Sequence, residues 1–181
     1  MPNSKPALDV WDSCCIIGIL NAEVDKLPAL LAQTQFFETG KALLGIPSSA
    51  VAEIYTLSDG TSAAAKIEEF LNNSYVQFLQ STREVVTVSS KLQFRFNCNQ
   101  IADLRDKAIA AGVPNKQASK LKSRDSEILA AAIVYKADRL TTYDPFLIFL
   151  GREYIQAETG LVISGPSSSM LPFPPLGNPR P

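Results

Sequence analysis

Histidine does not occur anywhere in the 181-residue chain. It is the usual general acid or base near neutral pH and a common zinc ligand, so its absence excludes histidine-based catalysis and the common zinc sites, apart from a cysteine-only one. The three cysteines form no disulfide framework, and the adjacent pair Cys14 and Cys15 is poorly placed to hold one metal, because neighbours on a strand point to opposite faces. Acid–base or metal chemistry must therefore depend on carboxylates.

Long apolar runs are also missing. No run approaches the roughly 18 to 20 residues of a bilayer span, and the N-terminal MPNSKPALDV lacks the basic-then-apolar pattern of a signal peptide. We therefore expect a cytoplasmic protein with no membrane partner. The net charge of -1 argues against a protein that coats nucleic acid with its whole surface, but it is compatible with a local basic patch.

The composition is that of a globular chain, with 46% hydrophobic and 19% charged residues. Its length fits one domain. We place this domain at residues 1–165. Residues 165–181 hold 6 of the 12 prolines, so residues 166–181 are predicted to form a Pro-rich, disordered C-terminal tail.

Short β-compatible segments alternate with helical periodicity along the domain. The predicted strands are 7–12, 75–80, 137–144 and 159–164. The predicted helices are 16–20, 24–44, part of 58–73, most of 81–112, 125–137 and 145–155. Gly40 is the predicted stop of helix 24–44. A further helix carries Glu53 and is predicted to be capped by Ser48 or Ser49. This alternation predicts an α/β fold, a three-layer α/β/α sandwich with a mostly parallel central sheet.

Four acidic residues interrupt or adjoin apolar patterns, although acidic residues usually lie on a solvent-exposed face: Asp12, Glu53, Asp125 and Asp144. Each alone is compatible with a turn or a helix cap. If two strand ends and two helix starts meet at one sheet edge, each pair of carboxylates about 5 Å apart repels by roughly 3 kcal/mol at an effective dielectric near 20. Mg²⁺ or Mn²⁺ would compensate this repulsion and activate water toward a phosphodiester, which predicts a metal-dependent nuclease.

Two of these positions have competitors. Asp9 competes with Asp12, but the small Ser13 and an apolar pair follow Asp12. Glu127 competes with Asp125, but only Asp125 shares a helix face with the apolar stripe.

Three segments carry a resemblance to a known family: WDSCCIIGIL, IPSSAVAEIY and RDSEILAAAIVYKADRLTTYDPF. Over residues 7–165 the chain resembles the PIN-domain ribonucleases, above all the VapC-like toxins of toxin–antitoxin pairs and their stand-alone relatives. The resemblance implies a PIN-like parallel-sheet fold and a Mg²⁺- or Mn²⁺-dependent endoribonuclease that acts on RNA. It also implies a possible antitoxin partner and a homodimer.

Site residues follow from the same resemblance. It implies that Asp12, Glu53, Asp125 and Asp144 are the catalytic acids and metal ligands, and that Ser13 and Thr142 are supporting hydroxyl residues. Extra sequence around residues 80–115 and the tail make the chain longer than typical small toxins. An alternative interpretation is a catalytically weak PIN-like module that binds RNA or a protein.

Six cations lie in the twenty residues before Asp125, and we call them the basic segment: Arg105, Lys107, Lys116, Lys120, Lys122 and Arg124. Such a run is either a solvated surface or a strip that positions phosphates without reading sequence. We assign RNA binding to Lys116, Lys120, Lys122 and Arg124.

Overall fold

The computed structural model describes residues 6–57, 61–98, 101–118 and 120–167. The predicted tail, apart from residues 166 and 167, lies outside the described residues. The strands are β1 (Ala7–Trp11), β2 (Ala42–Pro47), β3 (Val76–Leu79), β4 (Arg139–Thr141) and β5 (Val162–Ser164). The helices are α1 (Ser13–Leu20), α2 (Leu27–Glu38), α3 (Ser48–Leu57), α4 (Thr61–Leu71), α5 (Arg83–Asn97), α6 (Leu104–Ala110), α7 (Ser123–Val134), α8 (Pro145–Leu150), a π-helical turn (Gly151–Ile155) and α9 (Gln156–Thr159).

All five described strands are parallel, in the order β3-β2-β1-β4-β5. The chain adds β2 and β3 on one side of β1, and β4 and β5 on the other. Right-handed crossovers then place α1–α4 on one face of the sheet and α5–α9 on the opposite face. The predicted three-layer α/β/α fold is confirmed.

The point where the strand order reverses lies between β1 and β4. Helices leave the two strands toward opposite faces there, so a crevice opens at the carboxyl ends of the strands. Asp12 directly follows β1, and Thr142 directly follows β4. The topology therefore brings two of the predicted site segments to the same crevice.

The sheet centre is closely packed. Every residue of β1 is buried, and the fully buried Trp11 meets Phe37 of α2 edge-on with ring centroids 5.6 Å apart. At Gly45 of β2, an added Cβ would lie 3.0 Å from both Val10 Cγ2 and Leu79 Cδ1. Glycine is thus the residue that lets the neighbouring strands' side chains close over β2.

Strand β2 corrects the predicted helix 24–44. The helix ends at Glu38, and Gly40 adopts φ +72° and donates its N–H to Phe37 O, so Gly40 is the stop that the sequence predicted. Residues 42–44 belong to the strand. A continuous apolar run such as ALLGIP has no period of its own, so pairing with β1 decides its structure.

Three smaller predictions also change. The helix predicted over most of 81–112 is two helices, α5 and α6. Helix α3 begins at Ser48, whose hydroxyl donates to Leu79 O at 3.1 Å instead of capping the helix. Cys14 and Cys15 lie on α1, not on a strand.

None of the described helices is long and apolar enough to cross a membrane.

Candidate active site

Asp12 stands at the junction of β1 and α1. Its backbone is extended, and its N–H donates to Thr141 O at 3.1 Å, which continues the pairing with β4 beyond the end of the strand. Although Asp12 is the N-cap residue of α1, its carboxylate makes no capping hydrogen bond. That carboxylate is 5% exposed and accepts a 2.7 Å hydrogen bond at Oδ2 from Thr142 Oγ1.

Glu53 is joined to Asp12 through one hydroxyl group. Ser13 Oγ lies 2.8 Å from Glu53 Oε2 and 3.2 Å from Asp12 Oδ1. A hydroxyl carries a single proton, so it cannot donate fully to both carboxylates. The carboxylates of two acids from different elements therefore meet at one shared hydroxyl group.

Asp144 reaches the same region from β4. Its backbone N–H donates to Thr142 Oγ1 at 2.9 Å, and Thr142 in turn donates to Asp12. The carboxylate of Asp144 also caps α8, because Oδ1 accepts from Phe146 N and Leu147 N. Both of these bonds end on Oδ1, so Oδ2 is the oxygen that can turn to a ligand.

Asp125 lies in the first turn of α7 and interacts electrostatically with the other three acids. Its pKa is raised to about 6, mainly by burial and also by the charges of Asp144, Asp12 and Glu53, against the opposing effect of Lys122. The four predicted acids are thus within electrostatic reach of one another at one edge of the sheet.

Two members of the basic segment approach these acids. Arg124 Nη1 lies 3.5 Å from Glu53 Oε1, and the Lys122 charge stabilises ionised Asp125. The other four are exposed, and Arg105 donates to Asn115 Oδ1 at 2.7 Å. The basic segment therefore ends at the acidic crevice.

The donor set suits a hydrated hard cation. Among the described residues no three acidic or cysteine side chains are gathered closely enough to hold a metal ion by themselves. Ser49, one turn before Glu53 on α3, has a buried hydroxyl with no hydrogen-bond partner in the described part of the chain. Mg²⁺ keeps several waters and uses few protein oxygens, so spaced carboxylates can hold it partly through those waters.

The two competing acids lie elsewhere. Asp9 is inside β1, 1% exposed, and accepts from Thr141 Oγ1 at 2.8 Å. Glu127 accepts a hydrogen bond from Ser81 Oγ.

Sequence reasoning missed the contacts of Cys14 and Arg124 and the buried, unsatisfied hydroxyl of Ser49. The thiol of Cys14 lies 3.2 Å from Asp12 Oδ2 and accepts from Tyr143 N at 3.4 Å. The sequence signal for this contact was the position of Cys14, two residues after Asp12. Helical spacing of four from Glu53 could have identified Ser49, whereas no local pattern connects Arg124 to Glu53.

No protein-family model matches the chain, and no curated protein matches it. Among solved structures it is similar to VapBC2 from Rickettsia felis bound to a DNA fragment from their promoter, with 14% identity, a TM-score of 0.54, and coverage of 87% of this chain and 98% of that one. FitAB bound to the IR36 DNA fragment matches with 13% identity, a TM-score of 0.47 and coverage of 87% and 94%.

FitAcB from Neisseria gonorrhoeae matches with 14% identity, a TM-score of 0.48 and coverage of 87% and 97%. At such low identity, the likeness to VapBC2 establishes the fold alone. At the level of the fold, the resemblance to PIN-domain proteins is confirmed.

Proposed function

We propose that this PIN-like chain is a Mg²⁺- or Mn²⁺-dependent endoribonuclease that hydrolyses RNA phosphodiester bonds. The observation that carries the proposal is the shared hydroxyl of Ser13, because it links the carboxylates of Asp12 and Glu53 at a topological switch point. Such a pair is stable when a cation neutralises it. The raised pKa of Asp125 supports the same conclusion, since the charges of Asp144, Asp12 and Glu53 contribute to it beside burial, against the opposing charge of Lys122.

Each acid has a distinct duty in this proposal. Asp12, Glu53 and Asp125 hold the cation, directly or through its waters, and Asp144 contributes Oδ2 while Oδ1 caps α8. Ser13 and Thr142 orient the carboxylates to which they donate. When bound, the cation supplies Lewis acidity toward a phosphate oxygen and a hydrolytic water.

We further propose that the chain is the toxin of a toxin–antitoxin pair, acts in the cytoplasm and forms a homodimer. The VapC-like sequence resemblance and the structural likeness to VapBC2 support an antitoxin partner. Lys116, Lys120, Lys122 and Arg124 are proposed to bind the RNA backbone. A catalytically weak PIN-like binding module is the second candidate, and the ion pair that Glu53 makes with Arg124 favours it.

Cleavage of end-labelled RNA tests the proposal. The purified protein is incubated with RNA or single-stranded DNA in Mg²⁺, in Mn²⁺ or in chelator, beside Asp12→Asn and Glu53→Gln. Because these substitutions remove a charge from the cation site, we expect a loss of cleavage of about a hundredfold or more.

The matched control is Glu127→Gln, which removes an acid of α7 that is bonded to Ser81. It is expected to cleave RNA like the wild type. Cleavage that persists in chelator, or that is equal in all variants, would contradict the metal site. Preference for DNA would contradict the ribonuclease assignment.

A further inference from the structure

Arg124 makes a contact that occupies one of the proposed cation ligands. Its Nη1 lies 3.5 Å from Glu53 Oε1, while the other oxygen of Glu53 accepts from Ser13. The Arg124 side chain is 54% exposed and that of Glu53 is 27% exposed. This is a long, single-point ion pair at the solvent edge of the crevice, a class that contributes little to stability.

A weak ion pair can be exchanged easily. A guanidinium matches phosphate with two parallel hydrogen bonds, a better geometry than the single contact with Glu53. A doubly charged cation near Glu53 would repel the guanidinium, and a phosphate entering the crevice would attract it. Arg124 is also next to Asp125 in the first turn of α7, so a change of side-chain conformation is enough to move its charge between the acids and the crevice mouth.

We infer that Arg124 is a positioning residue that releases Glu53 when the cation binds and then binds a phosphate of the RNA. This inference rests on the proposed function. Without cation, Arg124 occupies Glu53 and is withheld from RNA; with cation, it is available. The cation and RNA therefore strengthen each other's binding, and by linkage each raises the affinity of the other by the same factor.

A binding cycle tests this coupling without relying on turnover. Mn²⁺ affinity is measured by isothermal titration calorimetry. RNA affinity is measured by fluorescence anisotropy with and without Mn²⁺, using a labelled single-stranded 2′-O-methyl phosphorothioate oligonucleotide whose integrity is checked on a gel. The variants are Arg124→Ala and Lys122→Ala, and circular dichroism verifies that both fold.

Lys122→Ala is the matched control, because it removes the same charge beside Asp125 but no contact with Glu53. In the absence of RNA, Arg124→Ala is expected to bind Mn²⁺ about two- to fivefold more tightly than Lys122→Ala, as expected for loss of an exposed ion pair. The factor by which Mn²⁺ tightens RNA binding is expected to fall about threefold or more in Arg124→Ala and to stay near the wild-type value in Lys122→Ala.

The outcomes separate the two proposals. If the wild type binds Mn²⁺ and cleaves RNA but the two variants show equal Mn²⁺ affinity and equal coupling, the role of Arg124 is overturned while the function stands. If the wild type binds no Mn²⁺, both the function and the role of Arg124 are overturned.

Discussion

Asp9 is the most deeply buried of the acids considered for the site. It lies in β1, 1% exposed, beside Arg139 of β4, and Thr141 Oγ1 donates to its Oδ1 at 2.8 Å. Its pKa is raised to about 6, mainly by burial and also by the Asp138 charge, against the opposing effects of the Arg139 charge and the Thr141 hydroxyl. An ionised carboxylate in this position costs stability.

This pKa predicts that stability falls as pH rises. The folded-state pKa of about 6 exceeds the ordinary aspartate value of 3.8, so below pH 3.8 Asp9 is protonated in both states and imposes no penalty. Between these values only the unfolded chain ionises, and above pH 6 the full penalty of about 3 kcal/mol is present. Urea unfolding from pH 4 to 7.5 should show this decline, and Asp9→Asn should reduce it.

Thr141→Val is expected to change the pH dependence of stability in the opposite direction to Asp9→Asn. It removes the hydroxyl that lowers the pKa of Asp9, so the decline should extend to higher pH. Asp125, whose pKa is also raised, contributes a decline of the same sign that remains in Asp9→Asn. An unchanged pH dependence in both Asp9→Asn and Thr141→Val would contradict an ionising Asp9.

In helix α8, the carboxylate of Asp144 both caps the helix and belongs to the proposed site. Asp144 adopts an extended backbone, Pro145 begins the helix, and Asp144 Oδ1 accepts from two N–H groups that lack helical partners. The apolar side chains of the first turn, including Phe146 and Leu147, are buried against the sheet. The cap thus fixes both the start of α8 and the direction of Asp144.

Two substitutions at this position separate the cap from the charge. Asp144→Ala is expected to lower the free energy of unfolding by about 1 kcal/mol, because both capping bonds are lost. Asp144→Asn should retain wild-type stability, since asparagine caps equally well. Both variants should lose cleavage, because only the carboxylate contributes charge to the site.

Urea unfolding and the RNA cleavage assay measure these two effects. Wild-type cleavage by Asp144→Asn would show that Asp144 is a cap alone. Reduced stability of Asp144→Asn would show that charge, as well as the capping geometry, stabilises α8.

Six of the 17 lysine and arginine residues lie in the basic segment, although the chain has a net charge of -1. The exposed cations of the basic segment lie on α6 and on its connection to α7. Lys122 and Arg124, at the end of the segment, interact with the acids at the crevice. Phosphates held by the basic segment would pass close to the cation site. Affinity from such contacts depends on salt and is insensitive to base sequence.

Salt titration of RNA binding tests this arrangement. Lys116→Ala and Lys120→Ala are each expected to weaken binding and to reduce the slope of log affinity against log salt by about 0.7, the value for one phosphate contact on a single strand. Lys66→Ala, on α4 at the opposite face of the sheet, removes the same charge and should leave the slope unchanged. Equal effects of all three variants would show that net charge, not the basic segment, governs binding.

The sequence alone determined the architecture and the candidate acids. Alternating strand and helix patterns predicted the parallel sheet, and acids at apolar boundaries predicted Asp12 and Asp144 at strand ends. These features are local, because periodicity and strand termination depend on neighbouring residues. For the same reason the sequence could not distinguish β2 from a continued helix, since a strand buried on both faces has no polar alternation.

Only the tertiary structure decided which side chains meet. The order β3-β2-β1-β4-β5 puts the reversal between β1 and β4, and so joins Asp12 to Thr142 and, through Ser13, to Glu53. It also places Arg124 on Glu53 and withdraws Asp9 into the core. The physical reason is that crossover connections in a parallel sheet bring distant segments to one edge, where long-range packing sets each contact.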